Sequence, residues 1–89
     1  MTKKPITIKI PSGLEARPVA LLVQVASQYE SDIYVEFGDK KVNAKSIMGV
    51  MTLAANKGSR LQIETTGDDE VEALAALVAL VEDYFGEGE

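Results

Sequence analysis

The stretch Ser31-Asp32-Ile33-Tyr34-Val35-Glu36-Phe37-Gly38-Asp39-Lys40-Lys41-Val42-Asn43 carries a complete local signal. Ile33, Val35 and Phe37 alternate with polar or amphipathic neighbours, the period of a strand buried on one face. Gly38-Asp39 is a two-residue turn of the kind that closes a hairpin, and the return strand Lys40-Lys41-Val42-Asn43 has lysines suited to an exposed edge. Moving outward, Ile6-Thr7-Ile8-Lys9-Ile10 repeats the alternation and Pro11-Ser12-Gly13 ends it. Between the two, Val19, Leu22, Val23 and Ala26 recur at helical spacing from Ala16 to about Ser27. Pro18 falls in the first turn, where its missing N–H costs nothing.

Downstream, Ser46 is a good N-cap for a short helix reaching about Ala54 or Ala55, and Lys57-Gly58 closes it. Leu61 and Ile63 mark a fourth strand. Asp69 followed three residues later by Glu72 reads as a capping box. Val71, Leu74, Leu77, Val78 and Val81 then form one helical stripe, and residues 86–89 have nothing to bury and should fray. The order is strand, helix, strand, strand, helix, strand, helix, an α+β arrangement. Alternating rather than continuously apolar strands mean one wet sheet face and one face covered by all three helices. The two strand–helix–strand units can interleave into one antiparallel sheet, and pattern alone does not separate the strand orders.

Composition narrows function. The chain has 89 residues, enough for one core, with 46% hydrophobic and 26% charged residues, an ordinary globular balance. There is no Cys and no His, which removes disulfides, thiolate metal sites and the commonest general base. No catalytic constellation or metal site stands out, and no cofactor is expected. A formal net charge of −5 disfavours direct nucleic-acid binding. The N-terminal lysines have no apolar block behind them, and no run is long enough to span a membrane. The expectation is a cytoplasmic, non-enzymatic domain over residues 1–89 whose partners are proteins.

Two segments exceed what a core needs. In Ile47-Met48-Gly49-Val50-Met51-Thr52-Leu53-Ala54, helical spacing puts Val50, Leu53 and Ala54 on one face and Ile47, Met48 and Met51 on another. A short surface helix needs one apolar stripe, so the second face is expected to be an exposed docking patch. Ser46 beside it can be a plain cap or a phosphosite, since a helix N-terminus stabilises phosphate. In Gly13-Leu14-Glu15-Ala16-Arg17-Pro18, Glu15 and Arg17 sit at a helix N-terminus. Taken alone, that pair reads as a capped helix with an incidental surface ion pair rather than acid–base machinery.

These two motifs together resemble the HPr family of the bacterial sugar phosphotransferase system. Lys45-Ser46-Ile47-Met48-Gly49-Val50-Met51 matches its regulatory-serine segment throughout, and Gly13-Leu14-Glu15-Ala16-Arg17-Pro18 matches its active-site loop except at one position. The resemblance implies an open-faced sandwich, β-α-β-β-α-β-α, with a four-stranded antiparallel sheet in order 1-4-2-3 and three helices on one face. It also implies that Glu15 stands where phosphocarrier members have the histidine that receives phosphate from enzyme I. The branch of the family that lacks this histidine, the catabolite-repression HPr-like or Crh branch, typically has Gln there. Ala44 and Ala54 lean toward that branch.

By the resemblance, Ser46 is phosphorylated by HPr kinase/phosphorylase. The product is corepressor of the transcription regulator CcpA in carbon catabolite repression. Ile47, Met48 and Met51 would dock on the regulator, with Arg17, Ala20, Leu21 and Gln24 of the adjoining helix and Glu15 nearby. The competing expectation is a phosphocarrier HPr with its histidine engineered to Glu. A homodimer formed by exchange of the first, edge strand about the Pro11-Ser12-Gly13 hinge fits either reading.

Overall fold

The computed structural model describes residues 1–11 and 13–83. Residue 12 of the expected first turn and the tail expected to fray lie outside them. Four strands and three helices alternate as β1 (Thr2–Thr7), α1 (Ala16–Ala26), β2 (Asp32–Phe37), β3 (Lys40–Asn43), α2 (Ile47–Met51), β4 (Arg60–Thr66) and α3 (Glu70–Glu82). The strands form one antiparallel sheet in the order β1-β4-β2-β3. β2 and β3 make the expected hairpin, with Phe37 opposite Lys40 across the Gly38-Asp39 turn and Gly38 at φ 62°.

The alternation fixes the layers. Ile6, Ile33, Val35, Leu61 and Ile63 point to one side, where they are buried with Val19, Leu22, Val50, Leu77 and Val81 from the helices. Ile63 lies at the centre of the sheet, paired with Lys4 of β1 and Val35 of β2. On the other face, cross-strand pairs are polar. Lys3 bridges Glu36 at 2.9 Å, Lys41 bridges Glu64 at 3.2 Å, and the Lys41 ammonium lies 5.1 Å from the Tyr34 ring centroid. Such exposed pairs contribute little stability, but they keep that face wet and so define which side the helices cover.

Four local expectations are corrected. β1 begins at Thr2 and ends at Thr7, earlier than the alternation of isoleucines placed it. Ile8 and Ile10 are nevertheless buried, and Ile8 exchanges hydrogen bonds with Ser59 and Gly58 past the end of the strand. α2 stops at Met51, not at 54 or 55, with Thr52 as its C-cap. Ala54 then turns to φ 51°, a left-handed conformation no α-helix continues through. Ala54 is accordingly exposed, and Ala55 takes the core position beside Leu53. Val71 is 64% exposed, not part of the core stripe, while Ala73 is buried in its place.

The capping box at α3 does not form: the Asp69 side chain caps nothing in its own helix. Instead its carboxylate accepts from the backbone N–H groups of Glu30 and Ser31, both at 2.9 Å, and from the Ser31 hydroxyl. That clamps the α1–β2 connection to the start of α3 and satisfies Ser31, which is only 2% exposed. Glu70, the first residue of the helix, instead ties down the turn before it. Its carboxylate accepts from Gly67 N at 3.1 Å and from Thr2 Oγ1 at 2.5 Å, tying β1 to α3.

These hydrogen bonds favour the charged carboxylates. Ser31 chiefly holds Asp69 below its ordinary 3.8, and Thr2 chiefly lowers Glu70 from 4.5 to about 2. A carboxyl depressed in the folded state adds stability above its unfolded value and loses it as pH falls toward its folded value. The urea midpoint should therefore fall as pH drops from about 4.5 to about 2. Glu70→Gln should lower the midpoint at neutral pH and flatten the acid slope. An unchanged slope in that variant, followed by tryptophan-free far-UV circular dichroism, would contradict the assignment.

Candidate functional site

The loop before α1 is built from backbone. Gly13 sits at φ 72°, and a Cβ placed there would lie 2.7 Å from the Ala55 carbonyl oxygen. Only glycine allows this approach. It brings Leu14 N within 2.8 Å of that same oxygen and buries the Leu14 side chain. Glu15 follows as the residue capping α1, extended at φ −110°, ψ −170°, with its side chain exposed and making no cap hydrogen bond. Among the described residues no ion pair joins Glu15 to Arg17. The expected surface pair is absent, and both side chains face solvent. α1 buries Pro18, Val19, Leu22 and Ala26. Arg17, Ala20 and Gln24 are exposed on its outer side, and Leu21 is half-buried beside them.

Ser46 caps α2. Its Oγ accepts from Gly49 N at 3.1 Å, and its carbonyl accepts from Val50 N at 3.0 Å. Gly49 helps here too, since a Cβ on it would press on Ser46 Oγ at 3.3 Å. Lys45, next to the serine, is anchored: its ammonium donates to the Tyr29 carbonyl at 2.7 Å, and its N–H donates to Asn43 Oδ1 at 2.8 Å. Lys40 reaches the other end of α2, donating to the Thr52 carbonyl at 3.1 Å and matching the negative end of the helix.

α2 buries Val50 and turns Ile47, Met48 and Met51 outward, with Met48 76% exposed. α1 and α2 pack against each other, and Leu14 is bonded to the segment leaving α2. The two motifs read from the sequence thus share one backbone junction. The residue missed by sequence reasoning is Ala54, which looked like core and instead supplies the turn that brings Ala55 under Gly13. A left-handed alanine leaves no mark in hydropathy. Among the described residues, no group of three or more His, Cys, Asp or Glu side chains could hold a metal ion. No helix there is long and apolar enough to cross a membrane.

A short capped helix with an uncovered apolar face, beside a glycine-dependent loop on a βαββαβα sheet in order 1-4-2-3, defines an HPr-like open-faced sandwich. The pattern described as "PTS HPr component phosphorylation site" matches residues 2–83, and the chain belongs to the HPr family. Proteins of this family are phosphocarriers or regulators, not enzymes.

The chain is 50% identical to the HPr-like protein Crh of Halalkalibacterium halodurans, over 92% of this chain and 98% of that one. It is 49% identical to the phosphocarrier protein HPr of Neisseria meningitidis over the full length of both. Among solved structures, HPr-C-His from Thermoanaerobacter tengcongensis superposes with a TM-score of 0.97 at 52% identity, covering all of both chains. Crh from Bacillus subtilis, described as a swapped dimer, gives 0.75 at 44% identity, covering 93% and 95%. The βαββαβα architecture and the 1-4-2-3 sheet are those of the family.

Two substitutions test the junction. Ala54→Gly removes the left-handed penalty and should stabilise the fold by about 1 kcal/mol. Gly13→Ala should destabilise it more strongly, because the new methyl meets a carbonyl oxygen at 2.7 Å. Urea unfolding of both variants reads the two opposite signs.

Proposed function

We propose that this chain acts as one HPr-like domain and is a regulator of carbon catabolite repression. It is phosphorylated at Ser46 by HPr kinase/phosphorylase and then serves as corepressor of the transcription regulator CcpA. The observation that carries the reading is the disposition of α2. Its capping hydroxyl is half-buried at the helix start, and its outward face is apolar and uncovered. A phosphate on that hydroxyl adds about −1.5 to −2 charges where the helix N-terminus favours them. The modification then changes the electrostatics beside Ile47, Met48 and Met51 without melting the helix. Arg17, Ala20, Leu21 and Gln24, exposed or half-buried on the neighbouring α1, extend the docking surface.

Glu15 takes the place of the phosphocarrier histidine, and with no His in the chain the relay from enzyme I is lost. Its carboxylate, at the α1 N-terminus, tunes docking electrostatically as a fixed negative charge. Full-length likeness to a phosphocarrier HPr favours a second reading, an HPr whose histidine has been replaced by Glu. By analogy with the swapped Crh dimer, the chain also exchanges β1 between two copies at high concentration.

Incubation with HPr kinase and ATP should add one phosphate, located at Ser46 by mass spectrometry. Incubation with enzyme I and phosphoenolpyruvate should add none. The phosphorylated chain should bind CcpA, and Met48→Lys should weaken that binding at least tenfold while leaving Ser46 phosphorylation intact. Labelling by enzyme I would contradict the non-carrier reading, and CcpA binding that ignores the Ser46 phosphate would contradict the corepressor role.

A further inference from the structure

α3 is apolar over its whole circumference in one stretch: every residue from 73 to 81 is hydrophobic. A helix of that kind is ordinarily buried on all sides. Here the sheet takes Ala73, Leu74, Leu77, Val78 and Val81, but Ala75, Ala79 and Val71 remain exposed. The flank they form continues into a groove of about 370 Å³ between α3 and the edge strand β1, walled on the strand side by Thr2 and Lys4. This groove uses neither motif of the site described above.

The neighbouring strand edge is not built to accept a strand. Pro5 lacks an N–H, and Lys4, opposite Ile63, puts a charge on the side of β1 that faces the helices. The charges along α3 point to a different occupant. The helix has no basic residue. Glu72 stands near its start, and Glu82 and Asp83 stand at its end, where the unpaired helix carbonyls are already negative. Antiparallel packing of two copies would set Glu72 of one against Glu82 of the other, in a chain of net charge −5. An amphipathic helix with an apolar face and a cation at each end would instead fill the groove and neutralise both termini of α3.

We propose that the α3 flank and the groove beside β1 form a second docking surface, distinct from the α2 patch, for a cationic amphipathic helix of a partner protein. Glu82, which lines the groove across from Lys4, and Glu72 hold its two terminal cations, and Val71, Ala75 and Ala79 give the contact face.

The test uses the full chain, labelled with ¹⁵N, and two synthetic amphipathic helical peptides as long as α3. Both share a Leu/Ala face; one has lysines at both ends and its twin has glutamates. The lysine peptide should shift the amides of Val71, Ala75, Ala79 and Lys4, and should bind at least tenfold more tightly than the twin, with affinity falling as salt rises. Ala79→Lys, an exposed change whose spectrum reports its fold, should weaken binding at least tenfold, and Glu82→Gln should lower it several-fold.

Equal affinity of the two peptides, or shifts centred on Ile47, Met48 and Met51, would overturn the proposal. So would a peptide-free dimer whose dilution shifts the amides of Val71, Ala75 and Ala79, or shifts confined to β1 that signal strand addition. None of these outcomes bears on Ser46 phosphorylation, so this proposal and the corepressor reading fail separately.

Discussion

The hydrogen bond from Leu14 N to the Ala55 carbonyl is the constraint on which the arrangement of the molecule's two distinctive segments depends. It exists because Gly13 has no Cβ and accepts a positive φ, and because Ala54 turns the chain leaving α2 so that the next carbonyl faces the loop. Through it, the start of α1 and the segment leaving α2 meet at one backbone junction, with Leu14, Leu53 and Ala55 buried there. A side chain at residue 13, or a helix α2 that ran one turn further, would separate them.

α2 itself is too short to be stable as an isolated helix. Five residues persist because both ends are satisfied and one side chain is anchored. Ser46 caps the start, Lys40 and Thr52 meet the carbonyls at the end, and Val50 is fully buried. Because tertiary structure supplies this stability, the outward residues are relieved of any packing role. Ile47, Met48 and Met51 therefore stay apolar and uncovered at no cost to the core, which is the condition for a docking patch next to a modifiable cap.

Much of this was legible beforehand, and the exceptions have physical causes. The alternation in Ile33, Val35 and Phe37 and in Leu61 and Ile63 located two strands, β2 and β4, because period-2 burial leaves a direct trace in sequence. The exposed face of α2 was legible because two apolar stripes on one short helix exceed what burial needs. The strand order was not; it came from resemblance and was then seen in the hydrogen-bonded registers. The end of α2 was missed because Ala54 is a strong helix former that the fold overrides. Asp69 was misassigned because its partners, Glu30 and Ser31, are nearly forty positions away, and capping rules see only near neighbours. Val71 looked like core because helical spacing cannot tell which flank of α3 the sheet leaves bare. The side chains expected on a docking surface of α1 were named by resemblance; that Arg17, Ala20 and Gln24 are exposed while Leu21 packs half-buried against the core became visible only in three dimensions.

The central claim is that Ser46 carries a charge change to an exposed apolar face while its helix stays intact. The most direct measurement is hydrogen exchange at the Gly49 amide in the chain phosphorylated at Ser46. In the unmodified chain that amide donates to Ser46 Oγ. It should remain protected after phosphorylation, with the Val50 amide equally slow and the helical signature of residues 47–51 retained. Rapid exchange at Gly49 and Val50 with loss of that signature would mean that the phosphate melts α2, and the account would be wrong at its centre.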